Sequence, residues 1–339
     1  MITFKYSAGL FPEAFQHLRE VIPASGAEGV LVEEELARFS STKDTVLTIG
    51  VFDGVHLGHQ RLIAELLKQA KKRKMVPGVV TFRHNPEKLL HHRNKLPFLT
   101  NIDERLSLLK KEGVKMVITL SFTPELAQLG ARQFITLLQK YLKMGGLVIG
   151  EDFALGKERE GNIDNLKRLG RSMNFDVVVV PPLKINGETV SSTTIRKALA
   201  AGDMVKVRQL TGRPFNLTGK VVTGYGRGAS LGFPTANLEI ASGHVLPPDG
   251  VYAGRAYING SVYQSMINIG KNPTFGANKR TVEAYLLDYH GDLYGTDLQL
   301  DIISRIREEK RFKNADELKR QVAADIRQGK KILDTNGVK

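Results

Sequence analysis

The sequence contains no cysteine, which excludes disulfides, thiolate catalysis and cysteine-ligated zinc. No apolar run approaches the length of a membrane span. Residues 1–10 hold neither a long apolar core nor a small-residue cleavage site, so no secretory signal is expected and the cytoplasm is the expected location. Internal repeats and low-complexity tracts are absent, and no G-x-x-x-x-G-K-[ST] occurs, which excludes a P-loop. What is present is an ordinary globular composition, 42% hydrophobic and 25% charged, over 339 residues. That length suffices for two domains with separate cores. The formal charge of +14 suits nucleic acid, membrane surfaces or small polyanions as partners, but the basic residues are dispersed. The short cluster Lys71-Lys72-Arg73-Lys74 reads as a solvated helix end, where cations favour the dipole.

One stretch organises the chain: Thr48-Ile49-Gly50-Val51-Phe52-Asp53-Gly54-Val55-His56-Leu57-Gly58-His59-Gln60. A short apolar run of strand character, residues 46–49, breaks into glycines at 50, 54 and 58. A helix follows, read from Leu62, Ile63, Leu66, Leu67 and Ala70. His56 and His59 therefore stand where a strand gives way to a helix N-terminus, a place that suits an anion such as a triphosphate. Glycine allows close backbone approach, and imidazole donors can stabilise developing charge.

Strand-like runs at 79–82, 114–120, 147–150 and 177–180 alternate with helical patterns at 103–111, 124–142 and 164–173. The alternation predicts a Rossmann-like parallel sheet with helices on both faces. Ligands in such sheets bind beyond the carboxyl ends of the strands. Two further segments suit that position. Gly150-Glu151-Asp152-Phe153-Ala154-Leu155-Gly156-Lys157 follows a strand, and Ser191-Ser192-Thr193-Thr194-Ile195-Arg196 opens a helix. The hydroxyls can cap that helix, or, with Arg196, clamp phosphates.

Residues 202–212 read as a link, after which short strands and turns replace the alternation. Candidate strands at 221–222, 236–240, 251–258, 261–269, 281–289 and 298–306, with an Asn259-Gly260 hairpin, predict a small, mainly antiparallel barrel. An amphipathic helix over 315–328 closes the chain. Gly224 to Ala229 fits G-x-G-x-x-A, but Leu231-Gly232-Phe233-Pro234 follows where the fingerprint needs a helix, so the dinucleotide reading is rejected. If Gly232-Phe233-Pro234-Thr235-Ala236-Asn237 is extended, Thr235 and Asn237 share a face and offer two oxygens to Mg²⁺; a turn entering a barrel strand is the alternative.

On these motifs the chain resembles the bacterial bifunctional riboflavin kinase/FAD synthetase family over most of residues 28–330. The first half carries G-V-F-D-G-V-H-L-G-H, T-F-x-x-x-P at 81–86, L-T-x-x-x-E-R at 99–105, G-E-D-F-x-x-G-K and S-S-T-x-I-R. The second carries Gly-Phe-Pro-Thr-Ala-Asn, Gly250-Val251-Tyr252-Ala253, Asn272-Pro273-Thr274-Phe275, Thr281-Val282-Glu283 and Leu293-Tyr294-Gly295. The resemblance implies an FMN adenylyltransferase domain over 1–205, with 1–25 an extension, and a riboflavin kinase domain over 213–335. It implies Glu283, His56 and His59 as catalytic residues. ATP or phosphate would contact Gly50, Phe52, Gly58, Asp152, Ser191, Ser192, Thr193, Arg196, Gly226 and Gly232, and Mg²⁺ would rest on Thr235 and Asn237. Riboflavin, FMN and ATP are the implied partners, with no nucleic acid or membrane. Three departures stand out: His84-Asn85-Pro86 replaces Pro-His-Pro, Tyr285 stands where many members have histidine, and the first 25 residues are extra. Two rivals stay open. One is a chain whose adenylyltransferase half is weak; the other is a basic RNA-binding protein or class I aminoacyl-tRNA synthetase relative. The second must accommodate Ser-Ser-Thr-x-Ile-Arg in place of Lys-Met-Ser-Lys-Ser.

Overall fold

A computed structural model describes residues 32–84, 97–224, 228, 232–241, 243–271 and 280–335. The readings for residues 1–25, Asn85-Pro86, Gly226 and residues 272–275 fall outside these.

Five strands, β1 (Thr45–Ile49), β2 (Val76–Phe82), β3 (Met116–Leu120), β4 (Met144–Gly150) and β5 (Asp176–Val180), form a parallel sheet in the order β3-β2-β1-β4-β5. Alternate side chains serve opposite faces. Val46, Val79 and Val148 pack with Ile63, Leu66 and Leu109, which come from helices α2 (Leu57–Arg73) and α3 (Ile102–Lys111). Leu47, Val80 and Leu147 pack on the other side with helices α1 (Val32–Arg38), α5 (Ala131–Leu142) and α6 (Ile163–Met173), with α4 (Pro124–Gln128) preceding α5. β1 is buried along its whole length, as the central strand of a doubly covered sheet must be. The chain runs from β1 outward to β3, then returns to place β4 on the other side of β1. This leaves a topological switch point between β1 and β4.

A two-stranded hairpin follows, β6 (Lys184–Ile185) and β7 (Glu188–Thr189), turned by Asn186 and Gly187 at positive φ. Helices α7 (Ser192–Ala200) and α8 (Met204–Thr211) come next. The stretch read above as a link is thus mostly helix, because Met204, Val207 and Leu210 recur at helical spacing and find apolar partners.

The second half is a closed barrel of β8 (Phe215–Val222), β9 (Ala236–Ile240), β10 (Gly250–Ile258), β11 (Ser261–Lys271), β12 (Arg280–Leu286) and β13 (Asp297–Glu308), ordered β10-β11-β12-β9-β8-β13. All its ladders are antiparallel. Asn259 and Gly260, at φ 47° and 81°, make the tight turn expected between β10 and β11. Helix α9 (Ala315–Thr335) docks through Ile326, Ile332 and Leu333 and is tied to β13 by the forked Arg307–Asp325 pair. The barrel interior is continuous with α7 and α8: Ile195, Leu199, Val207 and Leu210 share one apolar cluster with Phe215, Leu217 and Leu300. Backbone bonds also cross the junction, from Phe98 N–H to Gly243 and from Val245 N–H to Phe98.

Candidate functional site

The glycine-histidine loop leaves β1 beside the switch point. Its backbone is unusual: Phe52, Gly54 and Val55 all have positive φ, at 52°, 80° and 34°. A β-branched residue in that region is strained and persists only where its surroundings hold it. The loop ends at His56, which is the N-cap of α2; its Nδ1 accepts from the His59 N–H at 3.2 Å. An accepting Nδ1 places the proton of the neutral ring on Nε2. Gly58 is needed for space, since a Cβ there would sit 3.0 Å from the Val190 carbonyl oxygen and 3.1 Å from the His56 ring. The two imidazoles stack with centroids 3.6 Å apart, and Phe52 tilts against His59 at 5.0 Å. Burial, reinforced by the charges of Arg213 and Arg196, pushes His56 down to about 4. Burial pushes His59 well below its ordinary value too, helped by His56, Arg105 and Arg213. Both rings are therefore neutral at pH 7. His59 Nδ1 is buried with no partner, a costly state for a polar atom.

Asp53, inside the signature but absent from the expected site residues, is the hub beneath this loop. Its carboxylate is buried and accepts from the N–H groups of Leu99 and Thr100, from the Thr100 hydroxyl and from Arg196. The Ser192 hydroxyl donates to the Asp53 carbonyl oxygen at 3.0 Å. Arg196 also donates to the Pro97 carbonyl oxygen. Ser191 caps α7 by accepting from the Thr194 N–H, while Thr193 is exposed on the first turn. The segment is thus divided in its contacts: Ser191 is committed to the helix, and Ser192 and Arg196 are tied to the histidine loop. Arg105 is fully buried, donating to the Phe82 carbonyl oxygen and lying over the Phe98 ring. The arginine of the glutamate-arginine motif therefore ties the end of β2 to residue 98. Its position in a dense motif was the signal available in the sequence.

Gly50 closes β1, its N–H bonded to Val80, and Gly150 closes β4 on the other side of the switch point. After Gly150 a recess of about 390 Å³ opens, lined by Glu151, Asp152, Phe153, Ala154, Arg159 and Asn162. The Asp152 side chain is exposed there, and Arg159 donates to its carbonyl oxygen. No hydrogen bond joins Asp152 to either histidine. His84 is exposed just beyond β2.

In the barrel, Glu283 on β12 lies directly opposite Asn237 on β9. Directly opposed residues of an antiparallel pair share a face. Val282 and Ala284 point into the barrel core, so Glu283 and Asn237 face outward. Phe233 packs edge-on against Tyr285, two residues beyond Glu283, with centroids 5.7 Å apart. That contact draws the Phe233-Pro234-Thr235 segment onto the same face. Gly232 has φ 88° and open space at its Cβ position, so glycine is required there for conformation, not room. At Gly224 the need is room: a Cβ would meet the Asn237 amide at 2.1 Å. Among the described residues no cluster of three or more histidines or carboxylates could hold a metal. A hydroxyl and an amide oxygen, Thr235 and Asn237, are hard donors of the kind Mg²⁺ takes when phosphates complete its shell, so the donor set fits.

A loop of neutral histidines, His56 buried and His59 half-buried, at a parallel-sheet switch point, joined to a barrel with an acid opposite an amide, defines a two-domain nucleotide-dependent transferase. Residues 38–194 match the FAD synthetase family and residues 211–333 the riboflavin kinase family. The bifunctional riboflavin kinase/FMN adenylyltransferase of Escherichia coli (strain K12) is 37% identical over 83% of this chain and 90% of its own length. The protein of that name from Bacillus subtilis (strain 168) is 32% identical over 87% and 92%. A crystal structure described as a macrolide-efflux protein from Streptococcus pneumoniae has a TM-score of 0.81 and 31% identity, covering 87% of this chain and 96% of that one. Among the described residues no helix is long and apolar enough to cross a membrane. The chain belongs to the bifunctional riboflavin kinase/FMN adenylyltransferase family, which displaces the aminoacyl-tRNA synthetase reading.

Proposed function

We propose that the two reactions of this family are divided between the halves, riboflavin phosphorylation in the barrel (213–335) and FMN adenylylation in the α/β domain (1–205). The observation that carries the division is the pairing of Glu283 with Asn237 in the barrel, in a different domain from the histidines at the β1/β4 switch point. In the barrel the ribityl 5′-hydroxyl oxygen attacks the γ-phosphorus of ATP, ADP leaves, and Glu283 takes the hydroxyl proton. Thr235 and Asn237 are the residues that would hold Mg²⁺, which when bound neutralises phosphate charge. In the α/β domain a phosphate oxygen of FMN attacks the α-phosphorus of a second ATP, and pyrophosphate leaves. FMN brings its own nucleophile, so no base is required. His56 and His59 donate to the phosphates through neutral rings at the N-terminus of α2, whose free N–H groups add to the anion site. Gly50, Phe52 and Gly58 shape that loop, Ser192 and Arg196 hold it against α7, and Asp152 places substrate at the β4 recess. A cytoplasmic location belongs to the same reading.

The test is chromatography of flavins after incubation with riboflavin, ATP and Mg²⁺, with FMN and then FAD expected. His59→Ala should stop the sequence at FMN. Glu283→Gln should slow FMN formation by about 10²–10⁴-fold, while FAD still forms from supplied FMN. Loss of both steps in either folded variant would refute the division.

A further inference from the structure

The strained backbone of the histidine loop is held from the far side of the domain junction. The carbonyl oxygens of Gly54 and Val55 accept from one side chain, Arg213, which precedes the first barrel strand. Its Nη2 donates to Gly54 at 2.6 Å and its Nη1 to Val55 at 3.2 Å. Nη1 also reaches the Thr211 carbonyl oxygen at 3.4 Å. Gln60 repeats the bridge from within α2, donating to Val55 at 3.1 Å and to Thr211 at 3.2 Å. On its other edge Gly54 is fixed through its N–H by the Thr100 hydroxyl at 3.0 Å. Val55 has a buried side chain and φ of 34°, and the next residue is His56. Unheld, Val55 would relax toward negative φ and carry the His56 ring and the start of α2 with it.

We propose that Arg213 is a positioning residue for adenylylation, supplied by the kinase half: its guanidinium fork fixes the Gly54-Val55 backbone and thereby the placement of His56 and His59. This rests on the α/β domain being the adenylylating half. Arg213 donates to Gly54, Val55 and Thr211 at the junction, whereas the kinase pair Glu283 and Asn237 stands on β12 and β9, so the effect is expected on adenylylation. Its charge also contributes to keeping both histidines neutral. The fork matters as well as the charge, because lysine presents a point charge and cannot span two carbonyls in fixed geometry.

The experiment compares wild type, Arg213→Lys and Arg213→Ala in two assays, FAD from supplied FMN and FMN from supplied riboflavin. Amide hydrogen exchange is followed over residues 50–60. A misplacement of about 1 Å can cost roughly 10²-fold, so Arg213→Ala should lose about that in the turnover rate of adenylylation. Riboflavin phosphorylation should be unchanged, and exchange should quicken in the loop. Added guanidinium ion should restore part of the lost rate. Arg213→Lys, which guards against a folding defect, should keep the histidines neutral yet stay slow. In Arg213→Ala the acid limb of the pH profile should move to higher pH. The proposal is overturned if folded Arg213→Ala makes FAD at the wild-type rate, or if both activities fall together with no local change in exchange. Wild-type protein that makes no FAD would instead overturn the assignment of adenylylation to the α/β domain.

Discussion

Asp53 shows how much a single buried carboxylate can organise. It joins the β1 loop to residues 99–100 and to α7 through hydrogen bonds from Leu99, Thr100 and Arg196. Removing one partner of a buried ion pair leaves the other charge uncompensated, at a cost of about 3–5 kcal/mol. Asp53→Ala should lower stability by that order in denaturant titration and abolish FAD formation. A variant as stable as wild type would refute the hub role. His56 adds a pH dependence. Its folded value, about 4, lies below the ordinary 6.5, so its contribution to stability is complete above 6.5 and is lost as pH falls toward 4. Melting temperatures measured across that window should fall for wild type and fall less for His56→Gln. The sequence marked Asp53 as part of a dense motif, but no spacing rule says that a carboxylate will turn inward to bind residues 46 positions away.

At the scale of elements, α3 is wedged by its first turn into the junction between the halves. Asn101 caps it by accepting from the Glu104 N–H, where the sequence allowed a cap at Thr100 or Asn101 to be read. The Glu104 side chain lines the small junction cavity with Thr100, Arg213 and Asn216, which could not be read from the sequence. Burial raises its carboxyl to about 7 from an ordinary 4.5; Asp301 and Asp53 push the same way, against Arg213 and Lys111. A raised folded value favours the folded state below pH 4.5, and that stability is lost as pH rises through 7. Glu104→Gln should therefore be more stable than wild type at pH 8, by on the order of 1–3 kcal/mol, with the difference closing toward pH 4.5. Parallel melts at the two pH values check the sign. Elements were legible where periodicity was strong, as in α2, α3, α6 and the strands of the sheet. α8 was not, because an eight-residue helix between Gly202 and Gly212 looks like a linker until its apolar face finds the barrel.

The molecule as a whole is less divisible than its two chemistries. The cluster that includes Leu199, Val207 and Leu210 runs without a break into the barrel interior. Leu199 is fully buried, so Leu199→Ala should cost about 2–5 kcal/mol. With a shared core, calorimetry should show one unfolding transition that the substitution shifts intact; two transitions, only one of them moved, would show the halves to be separate. The sequence by itself determined the α/β-then-barrel order and the strand-loop-helix setting of His56 and His59. These follow from local periodicity, turn chemistry and the period-two strand. Tertiary structure alone decided that Glu283 stands opposite Asn237, that Asp53 grips residue 99, and that Arg213 reaches across the junction to Gly54. Each of those is a register or contact between segments distant in sequence. Such pairings are chosen by the packing of whole elements, and no local pattern encodes them.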